Sequence, residues 1–302
     1  MQKRGRGDDV TRRVDARGLV YEARANGYAV GAINHHNEET AQAILLGARD
    51  ADAPVFVQIG RAIIPHMGVK KAFEIVRRCE EETGKTCCIH LDHGGYDEVV
   101  EALKVGVDSV MYDGAHLPFE ENIASTRRVV EAAHFLGVPV EAELGKIPEV
   151  EDLASVDWEE YYTDVDEAAR FVEETGIDYL AISVGIFHGV STTVEPHLDM
   201  ERIEALASAT GIPLVLHGVS GLPDGLVREA VAAGVAKLNI DTELRWKFRE
   251  GIEAVWAGGD RHLERAMAEG RDRMRAEGAR KLELFGSAGR AKEGLLAGGA
   301  GG

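Results

Sequence analysis

The stretch Thr86-Cys-Cys-Ile-His-Leu-Asp-His-Gly-Gly-Tyr-Asp-Glu-Val-Val-Glu-Ala-Leu-Lys-Val-Gly-Val-Asp-Ser-Val-Met-Tyr112 holds a whole architectural unit. Residues 86–91 form a short apolar run rich in β-branched and Cys side chains, which reads as a buried strand, and Gly94-Gly95 ends it with a backbone free to turn sharply. A helix is expected over about 96–105, with Gly106 as its C-cap before a second apolar run at 107–112. Strand, helix, strand is the repeating element of a parallel sheet. Asp92 and His93 then fall at a strand's C-terminal end, where one can bind a metal while the other moves a proton. Taken alone, the pair is also common in ordinary turns.

The unit recurs. After a polar leader, strands read at 28–33, 55–59, 86–91, 107–112, 138–143, 177–183, 212–216 and 235–240. Helices read between them at about 38–52, 67–83, 96–105, 119–136, 164–175, 199–210 and 224–233. Val-Gly-Val at 105, Leu-Gly-Val at 136, Thr-Gly-Ile at 175 and 210, and Ala-Gly-Val at 233 each place a helix-capping Gly ahead of the next strand. Eight such units predict a (β/α)8 TIM barrel of class α/β over about 15–258, with a doubly wound open sheet as the alternative. Residues 246–256 read as the eighth helix, 260–285 as the core of a charged C-terminal helical extension spanning about 259–290, and 295–302 as a flexible Gly/Ala-rich tail. All 302 residues are expected to form a single barrel domain.

Composition narrows the class. Hydrophobic residues at 45% and charged residues at 28% suit a folded globular enzyme. No apolar run reaches the roughly 18 residues needed to cross a bilayer, and residues 1–13 lack the apolar centre of a signal peptide, so the expected location is cytoplasmic. Cys79, Cys87 and Cys88 are odd in number and poorly spaced for disulfides, and read as reduced core thiols. The net charge of −18 argues against nucleic acid and anionic membrane as partners. A small phosphorylated ligand is still open, because backbone N–H groups at a helix N-terminus or a Gly-rich nest hold phosphate whatever the overall charge.

A barrel carries its chemistry on the loops after its strands, and ionisable residues accumulate there: Asp92-His93, Asp113, Glu141 and Glu143, His188-Gly189, His217-Gly218, and Asn239 with Asp241. Three of the 11 histidines, His93, His188 and His217, thus end three different strands, each followed directly by Gly. Three imidazoles with an open position resemble a catalytic zinc site, although cobalt, manganese or iron would accept the same ligands. His35 and His36 follow the first strand and read as residues of the mouth, and the remaining histidines as surface or capping residues. Gly218-Val219-Ser220-Gly221 and Asn239-Ile240-Asp241-Thr242 offer a nest, hydroxyls and a helix N-terminus for phosphate, against the simpler alternative that Thr242 caps a helix.

At these residues the sequence resembles the class II, metal-dependent ketose-bisphosphate aldolases, which include fructose-1,6-bisphosphate and tagatose-1,6-bisphosphate aldolases. The resemblance runs through Val30-Gly-Ala-Ile-Asn34, His90-Leu-Asp-His-Gly94, Asp113-Gly-Ala-His-Leu-Pro-Phe-Glu-Glu-Asn122, Glu141-Ala-Glu-Leu-Gly145, His188-Gly189, His217-Gly-Val-Ser-Gly221, Asn239-Ile-Asp-Thr242 and Phe285-Gly-Ser287. It implies a cytoplasmic lyase of carbohydrate metabolism, a homodimer or homotetramer. Zinc, or cobalt in its place, is implied on His93, His188 and His217, with Asp113 and Glu143 as acidic residues near the metal, behind those ligands or at an alternate site. Dihydroxyacetone phosphate is implied at Gly189, Gly218, Val219, Ser220, Asn239, Ile240, Asp241 and Thr242, with a monovalent cation (Na+ or K+) beside it. The implied reaction cleaves a ketose phosphate, fructose 1,6-bisphosphate above all, through a zinc-stabilised enediolate. Asp92 would act at the C4 oxygen and Glu151, or its neighbour Glu149, at the enediolate carbon.

The chain departs from the family pattern in three places. Ile147-Pro-Glu-Val150 stands where Gly-Gly often precedes the acidic pair. Gly60 and Pro65 stand for a Ser and a Lys, and Ser191-Thr-Thr193 for an aromatic-Lys pair. Asn34 and Arg61 are further candidates, Arg61 as a partial substitute for the missing Ser. Rival readings are an aldolase for tagatose 1,6-bisphosphate or a singly phosphorylated ketose, a metal-dependent hydrolase, and a non-catalytic sugar-phosphate-binding barrel.

Overall fold

A computed structural model describes residues 14–150, 153, 156–190 and 196–292. Eight strands, β1 (Val30–Asn34), β2 (Val55–Ile59), β3 (Cys88–Gly94), β4 (Ser109–Tyr112), β5 (Val140–Leu144), β6 (Tyr179–Ile182), β7 (Leu214–Leu216) and β8 (Val235–Ile240), close in sequence order. Each is parallel to the next, and β8 returns to β1 through Val30 opposite Lys237 and Ala32 opposite Asn239. That last pairing excludes the open sheet and gives the TIM barrel. Around it run α1 (Ala16–Ala25), α2 (Glu38–Asp50), α3 (Ile64–Thr83), α4 (Tyr96–Val105), α5 (Phe119–Phe135), α6 (Trp158–Tyr161), α7 (Val165–Thr175), α8 (Met200–Thr210), α9 (Asp224–Ala232), α10 (Thr242–Ala257) and α11 (Leu263–Leu284). Among the described residues no helix is long and apolar enough to cross a membrane.

Several strands start about two residues later than their hydrophobicity predicts. Val107, Val138 and Ile177 are buried in the layer between sheet and helices but lie ahead of the hydrogen-bonded ladder, so their apolar character reports packing and not pairing. Of the five glycines predicted to cap helices, Gly106, Gly176 and Gly211 cap α4, α7 and α8 in left-handed conformations, while Gly137 and Gly234 stand one residue beyond the caps Leu136 and Ala233 of α5 and α9.

Two elements differ from expectation. Helix α1 falls within the segment read as a polar leader. Asp15 caps it by accepting from Gly18 N at 2.8 Å, and its buried Leu19, Val20 and Ala23 join Val30, Phe56, Cys88, Met111 and Tyr179 in a cluster that fills the lower barrel interior. The eighth helix begins not at 246 but at Thr242, directly after β8, with Asp241 as its N-cap residue and no side-chain capping bond.

All three cysteines are free and buried. Cys87 belongs to the outer core and Cys88 to the barrel interior, as alternation along β3 requires. Burial pushes the Cys79 thiol up to about 12 and those of Cys87 and Cys88 well above the usual range.

Candidate active site

Alternate residues of each strand point into the barrel, and the interior changes character from the closed end to the mouth. The apolar layer gives way to Gln58, His90, Glu141 and Lys237, all fully buried, and then to Asn34, Asp92, His217 and Asn239 at the open end. Strand β3 reaches this level through an irregularity. It runs past Leu91 to Gly94, and three steps from Leu91 to Gly94 match only two on β4 from Val110 to Tyr112. The extra residue is a bulge, and His93 sits there with φ 51°, a conformation that costs a non-Gly residue about 1–3 kcal/mol. The distortion has a result that regular alternation forbids: the consecutive Asp92 and His93 both reach the mouth. Asp92 and His93 thus lie at the C-terminal end of β3, as the sequence reading has them, although the apolar run itself stops at Leu91.

His93 Nε2 lies 2.9 Å from His217 Nδ1. The outer nitrogens of these rings each meet a carboxylate, His93 Nδ1 at 2.9 Å from Asp113 Oδ2 and His217 Nε2 at 2.8 Å from Glu141 Oε1. Burial opposes charge on His93, yet Asp92, the Asp113 hydrogen bond and Glu143 together raise its pKa to about 9. Burial drives His217 well below the usual range, and neighbouring His93 adds to it. A charged His93 thus donates to a neutral His217, which donates onward to Glu141. Burial is also what pushes the Glu143 carboxyl up to about 8, and it outweighs the pull of His93. Against burial, the His93 contact and Arg61 hold Asp113 well below the usual carboxylate range.

Two rings whose inner nitrogens face each other, and whose outer nitrogens are fixed by carboxylates, form the donor arrangement of metal-ligating histidines. Asp92, His93 and His217 offer ligand atoms within 4.8 Å of one another. The His188 ring stands edge-on, its centroid 5.5 Å from that of His93 and 6.5 Å from that of His217, and burial lowers its pKa to about 4. The three histidines expected together are thus neighbours, with Asp92 rather than His188 in the tightest group. Buried Glu143 Oε2 has no hydrogen-bond partner and lies 3.9 Å from His93 Nδ1. The donor set fits a divalent cation.

Asp92 is held by two side-chain amides, Asn34 Nδ2 at 2.9 Å and Asn239 Nδ2 at 3.1 Å. Burial works against its charge, but His93, His217, Lys237 and the Asn34 bond lower its pKa. Gly60 accounts for part of this packing. A Cβ there would come 2.3 Å from Asn34 Nδ2 and 3.3 Å from Asp92 Oδ2, so the lack of a side chain leaves room for the Asn34–Asp92 contact.

These groups line a cavity of about 570 Å3. One wall carries Gly189, Gly218, Ser220 and the run Asn239 to Thr242, while Val219 is buried behind it. Gly218 has φ 63°, and a Cβ on it would lie 2.4 Å from Phe187 O, so the close approach of the β6 and β7 loops needs glycine. Asp241 meets His36 Nε2 at 2.8 Å and Arg245 Nε at 2.9 Å. Arg61, on another wall, pairs with Asp113. Glu149 and Val150 also line the cavity. Their segment is tied to the loop after β6 by Val150 N donating to His188 O at 3.0 Å and His188 N to Pro148 O at 2.8 Å. Glu151 and the segment 191–193 lie outside the described residues.

The sequence reading overlooked Lys237, whose ammonium is 2.9 Å from Glu141 Oε2 and 2.7 Å from Asn239 Oδ1. Its signal is a charge inside Val235-Ala-Lys-Leu-Asn-Ile240, spaced two residues from Asn239 and so on the same face.

Residues 14–290 match the family described as fructose-bisphosphate aldolase class-II. Among relatives, the sulfofructosephosphate aldolase of Alkalicoccus urumqiensis is 35% identical over 283 residues, 92% of this chain and 98% of that protein. The fructose-bisphosphate aldolase of Streptococcus pyogenes serotype M1 is 39% identical over 300 residues, 92% of this chain and 99% of that protein. Among solved structures, the YdjI aldolase of Escherichia coli K12 superposes with a TM-score of 0.82 at 33% identity, covering 92% of this chain and 99% of that one.

Proposed function

This chain belongs to the class II fructose-bisphosphate aldolase family, a group of metal-dependent aldehyde-lyases, and within it we propose that it reversibly cleaves the C3–C4 bond of fructose 1,6-bisphosphate. The products are dihydroxyacetone phosphate and glyceraldehyde 3-phosphate. The observation that carries this reading is the Asp92 carboxylate, fixed by two amides next to the facing His93 and His217 rings, in the same cavity as the Gly218 and Thr242 wall.

His93, His188 and His217 would hold the divalent metal, zinc in our reading, with Asp113 and Glu141 orienting two of the rings. When bound, it supplies a Lewis acid beside the ketose carbonyl. Asp92 accepts the proton of the C4 hydroxyl as the C3–C4 bond breaks, and the electron pair moves onto the dihydroxyacetone-phosphate half. Lowering of its pKa keeps Asp92 ionised for that step. In the reverse direction it returns the proton to the C4 oxygen. Glu149 and Val150 line the cavity, and Glu151, the next residue in the sequence, would protonate the carbon left behind. Backbone N–H groups near Gly189 and Ser220 and the N-terminus of α10 would receive the phosphate, with a Na+ or K+ ion beside it.

A coupled assay of dihydroxyacetone phosphate release, before and after chelation, tests the reading: cleavage should vanish with the metal and return with zinc or cobalt. Full activity in metal-free protein would end it.

A singly phosphorylated ketose is a second reading, favoured by Gly60 and by Arg61, whose side chain is engaged with Asp113. One charge-assisted bond to the far phosphate contributes about 1.5–3 kcal/mol, or roughly 10- to 150-fold. The ratio of kcat/KM for fructose 1,6-bisphosphate over fructose 1-phosphate should then stay below roughly a thousand, about 4 kcal/mol of discrimination. A larger ratio would show the second phosphate firmly held.

A further inference from the structure

We propose that Lys237, buried in the barrel interior beneath the cavity, is the positioning residue that ties the metal-binding side of the site to the proton-transfer side. It is fully buried, and both of its polar contacts lead upward. On one side its ammonium pairs with Glu141 Oε2 at 2.9 Å, and the other oxygen of that carboxylate receives His217 Nε2 at 2.8 Å. On the other side it donates to Asn239 Oδ1 at 2.7 Å, and the same amide donates through Nδ2 to Asp92 Oδ1 at 3.1 Å. Two arms therefore leave one nitrogen, an ion pair to Glu141 and a hydrogen bond to Asn239. One ends on a metal-ligand imidazole and the other on the carboxylate that handles the C4 proton.

The geometry explains why a lysine is tolerated in a closed interior. A buried charge requires a paired and hydrogen-bonded partner, which Glu141 and Asn239 supply. The bond from Lys237 also sets the Asn239 amide: with its oxygen facing Nζ, its NH2 must face Asp92. Without the ammonium the Asn239 oxygen loses its partner and only the contacts of its NH2 with Asp92 and the His217 ring, 3.1 and 3.2 Å away, hold the amide, while the Glu141 carboxylate is left as an unpaired buried charge behind His217. Lys237 is placed at this level by the β8 ladder, where it lies opposite Val30 of β1 and Val215 of β7. It touches neither the reacting atoms nor the metal ligands themselves.

This inference rests on the metal-aldolase reading, and the experiment separates the two. Wild-type protein, Lys237→Met and the double variant Lys237→Met/Glu141→Gln are prepared free of metal, checked for folding by circular dichroism, and titrated with Co2+ through its visible absorption. Cleavage is then measured at saturating Co2+. For Lys237→Met the Co2+ dissociation constant should rise about 10- to 100-fold, the range for loss of a group supporting a metal ligand. At saturating Co2+ its kcat should stay at least tenfold below wild type, with KM within threefold, because Asp92 remains misplaced. The double variant removes both charges of the buried pair and should fold even where the single one does not. It should regain Co2+ affinity to within about threefold of wild type while keeping the kcat defect. Wild-type affinity and wild-type kcat in Lys237→Met, or full kcat in the double variant, would overturn the proposal. Absence of metal-dependent cleavage in the wild-type protein would instead overturn the reading on which it stands.

Discussion

At the closed end of the barrel, Asp178, just ahead of β6, accepts Val140 N at 2.6 Å, with His134 at 2.8 Å and Arg17 at 2.6 Å beside it. Asp108 plays the same part before β4, accepting Ile89 N at 2.9 Å and Val14 N at 3.0 Å beside Arg77. At the open end, Asp92 is held by two side-chain amides. All three are buried aspartates next to strand termini. The difference lies in what holds them. A carboxylate bound to backbone N–H and guanidinium groups fixes one strand against the next, and its loss costs stability. A carboxylate held by side chains at the edge of a cavity keeps its charge and faces a ligand, and its loss costs rate.

The largest effect should come from the open end. Asp92→Asn keeps the shape and removes the base, so kcat should fall about 100- to 10,000-fold while the midpoint of thermal unfolding moves little. If unfolding shifts as far as for a closed-end variant, the two ends are not functionally distinct.

The next effect concerns metal uptake. With the His93 pKa raised to about 9, the ring is protonated at neutral pH and must lose that proton to ligate. Affinity should therefore rise with pH, at most tenfold per unit or about 100-fold from pH 6 to pH 8, and level off above about 9. The same shift has the opposite sign for the metal-free fold: the charged ring stabilises it at low pH, and that contribution is lost as pH rises through about 9. Calorimetric titration across this range checks the first statement, and thermal unfolding of metal-free protein the second. A pH-independent affinity would remove His93 from the ligand set.

At the closed end, Asp178→Ala leaves the buried Val140 N–H without an acceptor, at a cost on the order of 1–3 kcal/mol. Unfolding should shift by several degrees with kcat unchanged in the folded protein. The smallest effect is expected at Gly60→Ser, whose Cβ presses on the Asn34 amide and not on backbone. A three- to tenfold loss of kcat, measured at saturating metal, would show that Asn34 matters to Asp92; an unchanged kcat would show that the amide shifts freely.

The contrast between the ends also explains what could be read from the chain alone. Strand order was legible because the units repeat an apolar run and a helix, five of them with a Gly ahead of the next strand, and eight such units pointed to a barrel. The His-Gly strand ends drew attention to the mouth for the same reason. Helix α1 was hidden by its charged neighbours, although Leu19, Val20 and Ala23 keep helical spacing after Asp15. The bulge at His93 was not legible, because no residue type announces a positive φ at a histidine. Lys237 passed as part of an apolar strand, since its partners Glu141 and Asn239 come from β5 and from two residues along β8, a pairing that only barrel closure creates.

One measurement tests the central assignment most directly, because it separates two protons that a general loss of activity would not. Asp92→Ala, loaded with zinc, is incubated with dihydroxyacetone phosphate in deuterated water while cleavage of fructose 1,6-bisphosphate is followed in parallel. If Asp92 serves the C4 hydroxyl alone, hydrogen at the dihydroxyacetone-phosphate carbon still exchanges at a rate near wild type while cleavage is lost. Loss of both together, or cleavage that survives the substitution, would contradict the account.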